Sequence, residues 1–338
     1  MENDNRNLDQ PSPNKRTCVT AFTFGSYTRY IPFYVYSILT SYPTYFVKIF
    51  VGGLLSENER QCLNLLRKRF ANFEIVEQYF IDFNIKDKTL LRWLMPESDF
   101  KGFDYVYYGD VDFLIIRENP PLHKMHLEHC EKRGFPFSNE VRHSQRIFSR
   151  GRYRLTGLHF IKKEDYFKKM ESVFSKFRNS PETLQRLDGD WIDEEFLFAL
   201  VSEVYLVQPA DPMEWFRPLH GFHLGATRSQ VNLRGFMDDL RKGEREYPSY
   251  EFMRRSLKPY FSDSMFIKLM LLIPDSGVDL VANEFGFRHI KLIIMLRTLR
   301  KNTISYFGAF VERLKHFAVR ILRAAHLKPP VPESERND

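Results

Sequence analysis

Residues 103–117 read FDYVYYGDVDFLIIR. The run 105–108 is aromatic and β-branched, as in a buried strand, and it ends at Gly109; Asp110 and Asp112 follow before apolar sequence resumes at Phe113. In an extended segment residues i and i+2 project to the same side, so both carboxylates can face one ligand. Two carboxylates held together repel unless a cation lies between them. Hard divalent ions such as Mg²⁺ and Mn²⁺ take oxygen ligands and bridge carboxylates to substrate phosphates. Asp110 and Asp112 therefore read as a metal–diphosphate clamp. A surface turn with two solvated acids carries the same spacing, but it does not need apolar strands on both sides. Open α/β sheets bind ligands at the C-terminal ends of their strands, where these acids fall.

Upstream, strand and helix signals alternate. Residues 17–24 form a β-rich run ended by Gly25-Ser26, and residues 30–39 read as a helix with Pro32 in its first turn, where a missing N–H costs little. A strand at 47–51 ends at Gly52-Gly53. Ser56 and Glu59 then make a capping box for a helix to about residue 70, and a strand at 73–76 follows. The alternation predicts a mostly parallel sheet of the α/β class. Residues 87–96 look helical and place Arg92 just before the clamp, either reaching an anionic substrate or covering helix leucines.

Downstream, His123, His126 and His129 stand at three-residue intervals among Lys and Glu, a pattern that fits a solvated helix face better than a metal site. Residues 153–161 read as one strand containing Gly157, and 163–177 as a helix. Asp188, Asp190, Asp193, Glu194 and Glu195 surround one helix start. The macrodipole accounts for some of these acids, and the rest are site candidates. A strand at 204–207 leads to the turn 218–228, where His220 or His223 offers a nitrogen ligand and Arg228 a phosphate contact.

With 338 residues, 32 Phe and 17 Tyr, the chain can bury a large core. A net charge of +7 favours an anionic partner. Cys18, Cys62 and Cys130 are too few and too scattered for a disulfide framework or a zinc site. Residues 1–16 read as a disordered leader without an apolar core, and no apolar run is long enough to span a membrane, which predicts a cytoplasmic protein.

In order and spacing these pieces resemble the nucleotide-sugar glycosyltransferases of the GT-A fold, and most closely glycosyltransferase family 8, whose members are metal-dependent and retain anomeric configuration. The resemblance covers about residues 17–230. Tyr30–Ile38, YIPFYVYSI, looks like the first helix of the family; Arg92-Trp93-Leu94-Met95-Pro96-Glu97 is similar to its Arg-Leu-x-x-Pro-Glu; Tyr105–Ile116 resembles its strand and D-x-D. Thr156-Gly157 matches half of an Asn-Ser/Ala-Gly element. Asp193-Glu194-Glu195 stands where the family has Asp-Gln-Asp, and His220, His223, Gly225 and Arg228 stand at a His-x-x-Gly-x-x-Lys turn.

The resemblance implies a GT-A domain, Rossmann-like with flanking helices, over residues 17–260. It implies a metal, Mn²⁺ or Mg²⁺, on Asp110, Asp112 and His223 or His220. Donor contacts fall to Thr23, Phe24, Gly25, Tyr30, Arg92, Asp110, Gly157 and Arg228, with Asp193, Glu194 and Glu195 beside the reacting sugar. The implied reaction moves a hexose from a nucleotide sugar, a UDP-sugar being the expected donor, to a hydroxyl of a saccharide or lipid-linked acceptor. Leu155 replaces the expected asparagine, Arg228 replaces lysine, and Thr23-Phe24-Gly25-Ser26 lacks the acid that often meets the nucleobase. A nucleotidyltransferase also uses paired carboxylates, but lacks here its Gly-Ser turn shortly before them. A non-catalytic basic adaptor is the reading from another class.

A basic helical region is expected at 261–328, before a disordered tail at 329–338. Residues 285–328 hold ten Lys or Arg against the single acid Glu312, with apolar residues at helical spacing. Such a stretch suits the surface of an anionic membrane, which predicts peripheral attachment to the inner face; nucleic acid is not expected as a partner. The same helices packing on the domain with a basic outer face is the plainer alternative.

Overall fold

Strand β1, Thr17–Thr23, is buried along almost its whole length and anchors the main sheet. The computed structural model describes residues 15–85, 87–144, 152–187, 191–207, 221–242, 249–290 and 292–295. Contacts divide the chain into a first unit through Phe285 and a second from Gly286; the elements below belong to the first. After β1 come α1 (Ile31–Ser41), β2 (Phe46–Val51), α2 (Glu57–Arg67), β3 (Phe73–Val76), β4 (Tyr105–Tyr108), β5 (Phe113–Ile115) and α3 (Leu122–Arg133). Then follow β6 (Phe137–Ser138), β7 (Val141–His143), β8 (Tyr153–Leu155), β9 (His159–Lys162), α4 (Lys163–Arg178), α5 (Pro181–Leu187) and α6 (Asp193–Tyr205). β10 (Gly221–His223), α7 (Gln230–Lys242), α8 (Tyr250–Ser262), α9 (Ser264–Leu272) and α10 (Val278–Glu284) complete the unit.

The main sheet has the order β3-β2-β1-β4-β9-β6. β3, β2, β1 and β4 run parallel, while β9 is antiparallel to β4 and β6. This is the mostly parallel α/β sheet that the alternation predicts. Because the connections from β1 go first to one side and later to the other, a crevice opens between the C-terminal ends of β1 and β4. The register sets its depth. Tyr108 pairs with Thr20 and the Gly109 amide donates to the Thr20 carbonyl at 2.8 Å, while β1 runs on to Thr23. β1 thus overhangs the turn that carries Asp110 and Asp112.

Local signals account for the frame. Ser56 Oγ accepts from the Glu59 amide while the Glu59 carboxylate accepts from the Ser56 amide, the expected capping box. Pro32 occupies the first turn of α1, whose face is buried under the sheet. α9 packs on that helix through Phe266 against Phe33 and Tyr36, and Tyr260 of α8 donates to the Ile115 carbonyl at 2.5 Å. The first unit therefore continues past the boundary expected at residue 260.

Four expectations change. Residues 88–94 form a 3₁₀ rather than an α-helix, capped by Asp87. The strand expected over 153–161 is two strands, β8 and β9, interrupted at Thr156-Gly157-Leu158, where the Asn139 side chain takes up the backbone and hydroxyl of Thr156. The strand expected at 204–207 is not formed. α6 runs through Tyr205, whose ring packs on Phe137, and Leu206 closes it in the left-handed region at φ 56°. His123, His126 and His129 lie on no solvated face. All three are buried, His123 bonded to Tyr45 and the other two to Ser138 Oγ, because α3 packs this side on the sheet.

Gly221 has φ +150°, and a Cβ built on it would stand 1.8 Å from the Leu114 carbonyl oxygen, a backbone atom that cannot swing aside. The close pairing of β10 with β5 depends on that glycine. Gly221→Ala is expected to cost about 1–3 kcal/mol, the range of overpacking in a filled core, and to lower the thermal unfolding temperature.

Candidate active site

The crevice is a cleft of about 400 Å³. Phe22, Thr23, Phe24 and Tyr27 form the wall at the end of β1, and Gly109 to Asp112 form the base. Thr89 and Arg92 come from the 3₁₀ helix, Asp193 and Glu194 from the start of α6, and His223 and Arg228 from the far side.

Arg92 holds the base together. Its Nη1 donates to Asp110 Oδ1 at 2.5 Å, its Nη2 pairs with Asp193, and the guanidinium lies 4.3 Å over the Trp93 ring. The Trp93 indole N–H donates to the Asp193 carbonyl at 2.9 Å, tying the 3₁₀ helix to the first residue of α6. Burial works against the charge of Arg92, but Asp193 and Asp110 outweigh it and raise its pKa. Burial raises the Asp193 carboxyl to about 6; Arg92 pulls it back, and Glu194 and Asp110 push it further up.

Asp112 sits in a second cationic setting. Its Oδ2 lies 3.2 Å from His223 Nε2 and 2.7 Å from Arg228 Nη2. Its side chain is only 4% exposed, and burial opposes its charge, yet His223 and Arg228 prevail and lower its pKa. β10 delivers the histidine: His223 pairs with Phe113 across the ladder, and their rings stack at 4.7 Å. Arg228 lies 4.8 Å over the Tyr27 ring, so the cation and the cleft wall position each other.

Two glycines leave room for these groups. A Cβ on Gly157 would stand 2.7 Å from Asp110 Oδ2, and one on Gly225 would stand 2.9 Å from Asp112 Oδ2 and 2.7 Å from His223 Nε2. Asp112 and His223 form a converging oxygen–nitrogen pair, while Asp110 is turned onto Arg92. Among the described residues no group of three or more acids, histidines or cysteines is set to hold an ion as it stands. In donor chemistry, and in the space kept by Gly225, Asp112 and His223 fit a divalent ion such as Mn²⁺ or Mg²⁺.

Of the residues singled out in the sequence, Thr23, Phe24, Arg92, Asp110, Asp112, Asp193, Glu194, His223 and Arg228 line one cleft. Gly25, Tyr30 and Gly157 stand outside that lining, Gly157 as the backing of Asp110. Glu195 is the departure: it is 1% exposed and meets Ser144 and Arg152 rather than the cleft, because it falls on the inner side of α6. Glu194 faces the cleft and is paired with Arg154. His220 lies outside the described residues. Phe22, Tyr27, Thr89 and Val111 were not foreseen. Thr89 had a signal, since residues three apart eclipse in a 3₁₀ helix and Thr89 therefore shares a side with Arg92.

No protein-family model matches the chain, and no curated protein matches it. Among solved structures it is similar to the galactosyltransferase LgtC in complex with donor and acceptor sugar analogues. That match has 16% identity over 60% of this chain and 85% of that one, with a TM-score of 0.40. The glycosyltransferase GlyE of Streptococcus pneumoniae TIGR4 matches at 13% identity over 75% and 64%, TM-score 0.41. The bifunctional glycosyltransferase WbbM matches at 13% over 58% and 38%, TM-score 0.36.

The state of Asp193 is measurable. Its folded value of about 6 lies above the ordinary carboxylate value of about 3.9, so its ionisation costs the native state stability as the pH rises. Relative to Asp193→Asn, the wild type is expected to lose unfolding free energy between about pH 4 and about pH 6, with no further change above. Denaturant unfolding of both proteins across that range reads the difference; a constant gap would place the buried charge elsewhere.

Proposed function

We propose that the chain is a metal-dependent glycosyltransferase that moves a hexose from a UDP-sugar to a hydroxyl of a saccharide or glycolipid, with retention of configuration. The observation that carries this reading is the pair Asp110 and Asp112 at the switch point of the parallel sheet, each held by an arginine in one open cleft. Such a cleft suits a polyanion that brings its own cation, as a nucleoside diphosphate does. The order of motifs shared with glycosyltransferase family 8 supports the same reading.

In this reading the nucleobase lies against Tyr27, Phe22 and Phe24 at the end of β1, where aromatic faces offer stacking. The diphosphate meets Arg228, whose side chain is 46% exposed and so can turn to a ligand. Asp112 and His223, with Asp110, would hold a divalent ion, which when bound would supply charge stabilisation for the leaving diphosphate. Arg92 and Glu194 border the place left for the sugar. Retention follows if the acceptor hydroxyl attacks from the side the nucleotide leaves. The anomeric C–O bond to phosphate breaks, the new C–O bond forms on the same face, and a leaving phosphate oxygen takes the hydroxyl proton. No strong general base is then required; Asp193 and Glu194 offset positive charge on the sugar.

Membrane attachment through residues 285–328 rests on sequence alone, since residues 296–338 lie outside the described residues. No helix among the described residues is long and apolar enough to cross a membrane.

Purified protein is expected to turn over a sugar nucleotide, to stop on chelation and to recover with Mn²⁺ or Mg²⁺. Turnover of no sugar nucleotide would overturn the reading. Asp110→Asn and Asp112→Asn should each lower turnover about 10²-fold, the scale of losing a main electrostatic stabiliser. His223→Ala should instead raise the metal concentration needed for half-activity; an unchanged requirement would remove His223 as a ligand.

A further inference from the structure

α1 passes beneath the turn that carries the two aspartates, and its residues 34, 37 and 41 lie along one side of the helix. Two of the three are bonded to the strand that leaves the turn. The Ile115 amide donates to Ser37 Oγ at 3.0 Å, and Ser41 Oγ donates to the Ile115 carbonyl at 3.3 Å. The third, Tyr34, is fully buried, and its hydroxyl makes no hydrogen bond among the described residues. It points at the other end of the same turn: a Cβ built on Gly109 would stand 2.1 Å from Tyr34 Oη and 3.3 Å from Cζ. The glycine before Asp110 is what lets the hydroxyl reach the backbone there.

A buried hydroxyl without a partner costs the fold, and phenylalanine would fill the same space without that cost. The hydroxyl therefore calls for a second state of the turn in which it is used. The structure supplies a reason for one. Asp110 is held by Arg92, so to share a cation with Asp112 and His223 its carboxylate has to give up that partner, a change at the Gly109–Asp110 end of the turn while Ser37 and Ser41 hold the Ile115 end. Burial, and then the charges of Asp110 and other neighbours, hold Tyr34 far above the usual phenol pKa, so it stays a donor in both states.

We propose that Tyr34 is a positioning residue for the cation-bound form of the turn: its hydroxyl donates to the turn when Asp110 leaves Arg92 and joins Asp112 on a divalent ion. This rests on the reading of Asp110 and Asp112 as metal ligands. The test is calorimetric titration of Mn²⁺ alone into the full-length wild type and Tyr34→Phe, with thermal unfolding of both in chelator. The variant is expected to unfold at the same or a higher temperature in chelator, yet to bind Mn²⁺ about fivefold to tenfold more weakly, the worth of one hydrogen bond. Equal Mn²⁺ affinity overturns the inference alone. A variant that unfolds earlier in chelator, or does not fold, overturns it too, because the hydroxyl would already be bonded without the ion. A wild type that binds no Mn²⁺ overturns the metal reading and this inference together.

Discussion

One guanidinium, that of Arg92, pairs with two carboxylates that lie 83 residues apart in the chain, Asp110 after β4 and Asp193 at the start of α6. Buried charges are tolerated only when paired, so the deeper acid, Asp193, depends on the 3₁₀ helix presenting the arginine, while Asp110 keeps part of its surface in solvent. The Trp93 indole fixes the other side of the same junction. Strand end, 3₁₀ helix and α6 are therefore placed by a charge balance as much as by apolar packing. Losing Arg92 would leave two uncompensated acids, a larger penalty than the pair's own net worth.

The second balance, Asp112 with His223 and Arg228, is built from later sequence and depends on backbone fit. β10 approaches β5 closely enough to deliver His223 only because residue 221 has no side chain, and Gly225 leaves the space in which imidazole and carboxylate meet. Both arginines stand where a polyanion with its own cation would compete for the acids. Each of the cleft's four acids thus has an arginine partner in the absence of ligand, and a ligand that used those groups would exchange partners with them rather than fill a vacant field.

Much of this was legible in the sequence because the signals are local. The strand before Gly109, the capping box at Ser56 and Glu59, and the proline in the first turn of α1 each act within a few residues. The aspartate pair was legible for the same reason. What escaped depends on distant contacts. Period alone does not separate a 3₁₀ from an α-helix over residues 88–94, although either form sets Thr89 on the same side as Arg92. The break at Thr156–Leu158 comes from the Asn139 side chain and from the need to clear Asp110. Glu195 and Glu194 are adjacent in sequence but point to opposite environments, which only the packing of α6 on β8 decides. The three histidines of α3 have polar neighbours in sequence and a buried sheet face in space, so charge pattern misled where packing ruled.

Trp93 gives the cleft an optical property. The indole is 2% exposed, lies beneath the Arg92 guanidinium and donates its N–H to the backbone at Asp193, so its ring senses the charge arrangement of the cleft base without touching solvent. Any rearrangement of the ion pairs at Arg92 would alter the electric field across that ring. Of the three tryptophans in the chain, Trp93 is thus an intrinsic fluorophore placed against the charged floor of the cleft.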